Sequence, residues 1–178
     1  MRTDDYPLHH RSEVVVAADP DTVFARLDDH RRLASHMEKP SLMTAGSSMR
    51  IETDSLGGQA VGSVIRMTGR VLGVNLSLDE VVTERMPPLR KAWETVGEPR
   101  LLVIGAYRMG FEIVPEGGAS RLTVFIDYRL PSRGLARGLG LLLGRNYAAW
   151  CTRRMANDAK TAMGVARQPS GQRQDGSA

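Results

Sequence analysis

Hydrophobic and polar positions alternate through most of the chain, and this alternation predicts the order of the elements. Residues 10–18 are rich in β-branched side chains, which suit a pleated and partly buried strand. Asp19 and Pro20 follow directly. They are typical of a helix start, because Asp caps free amide groups and Pro needs no hydrogen-bond donor at the first helical position.

Two short helices are predicted after this strand. In the first, Val23, Phe24 and Leu27 share one apolar face. The second ends at Pro40. Both helices would pack their apolar side against the rest of the domain.

Strand-like segments separated by turn residues fill the middle of the chain. They are residues 48–54, 60–72, 73–85, 89–96, 100–114 and 121–130. Their connections are short, which favours antiparallel neighbours, because a parallel pair needs a crossover of about a dozen residues or more. With the N-terminal strand, the sheet is expected to have about seven strands.

A long amphipathic helix is predicted from residue 139 to 163. Its apolar face consists of Leu139, Leu143, Tyr147, Trp150, Cys151, Met155, Ala159 and Ala162. At a rise of 1.5 Å per residue this helix is about 40 Å long, enough to cross a whole sheet. The predicted fold is therefore α+β, a curved antiparallel sheet around a long C-terminal helix, with two short helices after the first strand. The space between helix and sheet would suit a small apolar molecule.

Composition predicts a single domain, which follows an N-terminal lead of residues 1–10. A chain of 178 residues, 42% of them hydrophobic, can bury one good core. No apolar run is long enough to span a membrane and no signal peptide is visible, so we expect a cytoplasmic protein. The polar stretch 167–178 is expected to be disordered.

The charge pattern does not indicate a nucleic-acid partner. The net charge is +4 and the pI about 9.6, but the basic residues are scattered among acids. Arginine outnumbers lysine 21 to 3, which we attribute to the codon usage of a GC-rich genome.

No motif for catalysis, metal binding or cofactor binding predicts a particular reaction. The sequence has no phosphate-binding loop, no H-E-x-x-H and no G-x-S-x-G. Cys151 is the single cysteine and is expected to be a small buried residue rather than a nucleophile. His36 is the best single candidate for a general base. We expect neither a metal nor a cofactor.

Alternation along the strands indicates which side chains face the helix. Leu122, Val124, Ile126, Tyr128 and Leu130 are expected to point inward, as are Leu101, Val103, Tyr107, Met109, Phe111, Ile113, Trp93 and Thr95. Within these sets and the long helix, the candidate ligand-binding residues are Trp93, Tyr107, Met109, Tyr128, Asn146, Trp150 and Arg154. The aromatic members combine apolar surface with a polar atom that can orient a ligand.

Asn146 and Arg154 interrupt the apolar stripe of the long helix. Arg154 forms an ion pair with Asp158 in one interpretation, and binds a ligand carboxylate, carbonyl or enolate in the other. Residues 133–145 combine arginines with an apolar run. They are either a flexible entry to the helix, because their glycines weaken it, or a membrane contact.

The chain also resembles the SRPBCC superfamily, which includes START lipid-transfer domains, the birch-pollen-allergen family and polyketide cyclase/dehydrase-like proteins. The resemblance is carried by residues 12–29, 78–84 with Pro87 and Pro88, Trp93, 111–115 and 121–123, and it spans residues 11–164. It implies a helix-grip fold with an internal cavity. The superfamily has no shared catalytic set, so the resemblance implies no particular reaction.

These observations leave three hypotheses open. The first is binding or carriage of a hydrophobic small molecule that is lipid-, polyketide- or aromatic-like. The second is a polyketide cyclase/dehydrase-like enzyme, in which a few polar groups move protons. The third is a protein-interaction module. A convergent set of ionisable residues inside the cavity would favour the enzyme.

Overall fold

A computed structural model describes residues 6–29, 49–71 and 73–166 of the chain. The elements within these ranges are β1 (Leu8–Val16), α1 (Pro20–Asp28), β2 (Met49–Thr53), β3 (Val64–Val71), β4 (Val74–Met86), β5 (Arg90–Arg100), β6 (Tyr107–Glu116), β7 (Ala119–Tyr128) and α2 (Gly134–Ala166). The strands form one antiparallel sheet in the order β1-β7-β6-β5-β4-β3-β2. The α+β architecture predicted from the sequence is confirmed. The predicted second short helix, His36 and the tail lie outside the described residues.

The start of α1 follows the sequence prediction. Asp19 Oδ1 accepts a hydrogen bond of 2.9 Å from the Thr22 amide, and Pro20 takes the first helical position. Val23, Phe24 and Leu27 are buried. The strand before the helix is β1, which begins at Leu8 and so includes three residues that the sequence assigned to the lead.

The strand predicted at 60–72 begins four residues later than expected. Asp54 accepts hydrogen bonds from the Leu56 amide, the Val64 amide and the Ser63 hydroxyl at 3.0, 2.9 and 2.6 Å. This carboxylate closes a wide turn, so regular strand structure begins only at Val64, and Gly62 and Ser63 keep just two backbone hydrogen bonds with Val82 on β4. A side chain that satisfies several turn amides competes with regular strand pairing.

The prediction of a single strand over residues 100–114 is wrong in its first half. β5 continues to Arg100, and residues 101–106 form the connection to β6. Leu101 and Val103, expected to point inward from a strand, are half-buried in that connection. The β7 register is confirmed, since Leu122, Val124, Ile126 and Tyr128 are buried.

The long helix α2 has 33 residues and starts five residues earlier than predicted. Gly140 and Gly144 face the protein, where added Cβ atoms would lie 2.9 and 3.4 Å from the Val103 carbonyl oxygen. The glycines therefore allow close packing instead of interrupting the helix. Residues 134–145, interpreted from the sequence as a flexible entry or a membrane contact, are helical and form the first turns of α2.

The buried face of α2 is also rotated from the predicted one. Thr152, which does not belong to the predicted apolar face, is buried, and its hydroxyl lies 2.9 Å from His10 Nδ1 and 2.8 Å from Ser12 Oγ on β1. Leu143, assigned to the inner side, is exposed. Contacts of α2 with β1 and β7 decide this rotation.

The convex side of the sheet carries one buried aromatic ring. Phe125 is only 2% exposed, because Arg11, Arg90 and Arg108 lie over its ring with guanidinium carbons 5.4–5.8 Å from the centroid. Gly110 on the neighbouring strand leaves room for this ring. The arginines thus shield an apolar side chain that faces away from the core.

Candidate functional site

The concave face brings together four of the seven predicted ligand-binding residues. Trp93 on β5 pairs directly with Met109 on β6, and Tyr107 on β6 pairs with Tyr128 on β7. All four are buried in the apolar cluster between the sheet and the helices. Directly opposed side chains on one sheet face are neighbours. The four therefore form a continuous patch across three strands.

Glu80 on β4 is an ionisable residue of this face that the sequence patterns did not predict as part of the site. Its side chain is 1% exposed, and it lies between inward-facing Leu78 and Val82 on the concave face. The signal was present, because Glu80 falls in the same alternation as Leu76, Leu78 and Val82, while the polar residues Ser77, Asp79 and Thr83 fall on the other face. Glu80 is thus a charged residue among apolar ones on the inward side of β4, and it is deeply buried there.

The phenol of Tyr107 donates a hydrogen bond to Glu80 Oε1. Glu80 lies on β4 and Tyr107 on β6, with β5 between them, so the bond crosses a strand. The residue beneath it is Thr95, which pairs with Glu80 and accepts a hydrogen bond of 3.1 Å from the Tyr107 amide. Because the Thr95 side chain is short, it leaves space for the longer side chains of Glu80 and Tyr107 to meet over β5.

Burial raises the pKa of Glu80 to about 7, although hydrogen bonds from Tyr107 and Trp93 favour its ionised form. Burial also raises the pKa of the Tyr107 phenol, and the neighbouring Glu80 carboxylate raises it further. Near neutral pH the carboxyl group is thus present in both protonation states. The neutral acid can donate a hydrogen bond to a ligand carbonyl, and the carboxylate can accept a proton.

Helix α2 covers this cluster with Tyr147 and Cys151, which are near enough to contribute to the raised pKa of Tyr107. Burial raises the pKa of the Cys151 thiol to about 12, although a hydrogen bond with Tyr147 acts in the opposite direction and lowers it. A thiol with this pKa is protonated at neutral pH and is a poor nucleophile. The expectation that Cys151 is a small buried residue is confirmed.

The three site residues predicted on α2 are placed differently. Trp150 is half-buried against the core, with its ring centroid 5.9 Å from that of Tyr147. Asn146 and Arg154 are exposed, so the expectation that they lie on the inward face is wrong. Arg154 Nε lies 3.2 Å from Asp158 Oδ2, the ion pair that the sequence offered as the alternative.

A second buried ionic cluster anchors α1 at the other end of β5. Lys91 is fully buried, and its Nζ lies 2.7 Å from the Asp28 carbonyl oxygen and 2.8 Å from Asp28 Oδ1. Arg85 donates to Asp28 Oδ2 at 2.8 Å. Lys91 and Arg85 both donate to Asp28, the last residue of α1. This cluster therefore stabilises the fold and offers no free ligand-binding group.

A cavity of about 290 Å³ lies at the β5–β6 connection and the segment before α2. Its lining includes Glu98, Leu101, Arg129, Leu130 and Arg133. None of the predicted site residues and none of the Glu80 cluster contributes to it. Among residues 6–29, 49–71 and 73–166, no three His, Cys, Asp or Glu side chains are grouped so as to hold a metal ion.

The fold is shared with many solved structures. TTHA0849 from Thermus thermophilus has a TM-score of 0.64 at 15% identity, covering 90% of this chain and 100% of that one. Norcoclaurine synthase from Thalictrum flavum has a TM-score of 0.61 at 15% identity, covering 93% and 91%. Ara h 8.0201 has a TM-score of 0.59 at 10% identity, covering 89% and 98%. At such identities the likeness shows the fold.

Sequence comparison assigns the family. No curated protein matches the chain significantly. The family model described as polyketide cyclase / dehydrase and lipid transport matches residues 8–162, from the start of β1 nearly to the end of α2. The chain therefore belongs to this family of the SRPBCC superfamily.

Proposed function

We propose that this protein binds a hydrophobic small molecule, lipid-, polyketide- or aromatic-like, between α2 and the concave face of the sheet. The observation that carries the proposal is the buried Glu80–Tyr107 pair within an otherwise apolar surface. A fold that needed only a stable core would gain little from a buried carboxyl group, because burial of a charge is costly. A polar pair among apolar side chains is the usual composition of a small-molecule site.

The ligand we expect is largely apolar and carries a carbonyl or hydroxyl group. Trp93, Met109 and Tyr128 supply apolar surface around the pair. Protonated Glu80 would donate a hydrogen bond to a ligand carbonyl, and the ionised form would accept one from a hydroxyl. Binding of a carbonyl ligand should therefore weaken as pH rises through about 7, where Glu80 loses its proton.

Binding is tested with a neutral aromatic ketone, 2-tetralone, followed by tryptophan fluorescence between pH 5 and 9. We expect saturable binding that weakens with pH in the wild type and is independent of pH in Glu80→Gln. Glu52→Gln is the matched control, since Glu52 is exposed on β2. Absence of saturable binding, of this ketone and of the neutral dye N-phenyl-1-naphthylamine alike, would refute the proposal.

A second candidate function is proton-transfer catalysis of the polyketide cyclase/dehydrase kind. The pKa of about 7 favours it, because a general acid/base works best when its pKa lies near the operating pH. In such a step the Glu80 carboxylate removes a proton from the carbon next to a ketone and becomes a carboxylic acid, and the enolate keeps both electrons of the broken C–H bond. The proton on Glu80 exchanges with solvent, and the acid then protonates the carbon again.

The enzyme is distinguished from the carrier by hydrogen–deuterium exchange at the α-carbon of 2-tetralone in heavy water. A catalyst accelerates this exchange, and Glu80→Gln should abolish the acceleration while Glu52→Gln keeps it. Binding without accelerated exchange supports the carrier and rejects this step.

A further inference from the structure

The first three turns of α2 carry leucines that are exposed in the described part of the chain. The relative exposures of Leu135, Leu141 and Leu142 are 82%, 67% and 74%. Leu135 and Leu142 are seven residues apart, so they lie on one side of the helix, two turns from each other. Single exposed leucines are common, but three within two turns form a patch.

The packing of the same turns explains why this patch faces outward. Gly140 and Gly144 face the β5–β6 connection and the end of β7, where their missing side chains bring α2 against Val103, Leu130 and Tyr128. Leu142 lies between them in sequence, about half a turn away on the opposite side. The exposure of the leucines is therefore a consequence of a tightly packed helix, and a small rotation cannot bury them.

The charged residues of the first half of α2 and of the segment before it all have the same sign, and the nearby acid is Glu98 of β5, across the cavity that Arg133 lines. Between Tyr128 and Asn157 the sequence contains six arginines and no acidic residue. Arg133, Arg137 and Arg145 are exposed beside the leucines. The rest of the surface mixes both signs, as in the ion pair of Arg66 with Asp79. This part of the molecule is therefore both apolar and strongly cationic.

We propose that this surface, defined by Leu135, Leu141, Leu142, Arg137 and Arg145, docks on a membrane that contains anionic phospholipids. Leucines would enter the acyl boundary while arginines pair with lipid phosphates, the arrangement of an interfacial helix. Docking is peripheral, since no helix among the described residues is long and apolar enough to cross a bilayer. A second copy of the chain fits poorly, because a twofold contact would bring the same arginines together.

The proposal is tested by co-sedimentation with vesicles of phosphatidylcholine alone and of phosphatidylcholine with phosphatidylglycerol. The wild type should bind the anionic vesicles and release them at high salt, because screening weakens the arginine contacts. Leu135→Gln with Leu142→Gln should lower the partition roughly tenfold or more. Glutamine keeps the helix propensity, and Leu56→Gln with Val61→Gln is the control at exposed positions elsewhere.

The charge component is tested separately. Arg137→Gln with Arg145→Gln should lower binding to anionic vesicles about tenfold and leave weak binding to neutral ones unchanged. Arg26→Gln with Arg50→Gln is the matched control, since both residues are exposed on other elements. Equal binding of neutral and anionic vesicles, or no effect of the leucine substitutions, would overturn the proposal. So would a dimer in size-exclusion chromatography that the leucine substitutions dissociate.

Discussion

The Tyr107 phenol on β6 donates a hydrogen bond to the Glu80 carboxylate on β4, across the intervening strand β5. Adjacent strands are about 4.8 Å apart, so the two backbones are separated by roughly twice that distance. Two long side chains can meet over such a gap only if the residue between them is short, and Thr95 meets that condition. The arrangement places a titratable group in an apolar surface without exposing it to water.

The buried carboxyl group should make stability depend on pH. Because its pKa is about 7 in the folded protein and near 4.5 when exposed, the folded state holds the Glu80 proton more tightly. The free energy of unfolding should therefore fall by about 3 kcal/mol between pH 4.5 and 7 on account of this group. Glu80→Gln lacks this pH-dependent component of the free energy of unfolding. Compared with the wild type, the variant should therefore be about 3 kcal/mol more stable above pH 7 than it is at pH 4.5. Urea unfolding at several pH values measures the difference, and Glu52→Gln, which retains Glu80, should keep the pH dependence of the wild type.

Removing the phenol should shift the titration of Glu80. The hydrogen bond from Tyr107 favours the carboxylate, so Tyr107→Phe should raise the pKa of Glu80 above its wild-type value and cost about 1–3 kcal/mol of stability above pH 7. The carboxyl stretching band in infrared spectra follows the titration. Tyr128→Phe, on the adjacent strand, should leave the band's midpoint in place, and an equal shift in both variants would contradict the assignment.

The glycines of α2 should fall into two classes. Gly138 and Gly164 have open space where a Cβ would lie, so alanine there should stabilise the protein by up to about 1 kcal/mol. At Gly140 a Cβ would lie 2.8 Å from Pro131 Cδ, and at Gly144 2.9 Å from Leu130 Cδ2. Alanine at these two positions should destabilise by about 1–3 kcal/mol. Thermal unfolding of the four single variants tests this, and a uniform gain would show that α2 does not pack as described.

The ionic cluster of Asp28, Arg85 and Lys91, which holds the end of α1 against the sheet, should depend on the Asp28 carboxylate. Asp28→Asn leaves the buried Lys91 ammonium without its counter-charge, so we expect a loss of about 3–5 kcal/mol. Burial alone would raise the pKa of Asp28, but hydrogen bonds from Arg85 and Lys91 hold it below its usual value. The stability that Asp28 contributes is therefore lost as pH falls through that lowered pKa. Asp79→Asn, which removes an exposed pair, should cost at most about 1 kcal/mol in the same denaturation experiment.

The candidate site was predictable only in part. Trp93, Tyr107, Met109 and Tyr128 followed from alternation, because side chains of a strand point to opposite faces in turn. Glu80 occupies an inward position by the same rule, but a glutamate is usually exposed, and its partner lies 27 residues away on a strand that is not adjacent. Only the three-dimensional sheet brings the two together.

Local patterns alone determined the order of the strands and the start of α1. The β-branched strand and the helix start at Asp19 and Pro20 depend on interactions between residues that are close in sequence. The sequence alone is therefore enough to predict them. Tertiary structure decided the inner face of α2. Its contacts with β1 bury Thr152 and leave Asn146 and Arg154 outside, although a helical periodicity alone fits either rotation. Contacts with Val103 and Leu130 turn Gly140 and Gly144 from expected helix breakers into packing positions, because the effect of a missing side chain depends on what lies opposite it.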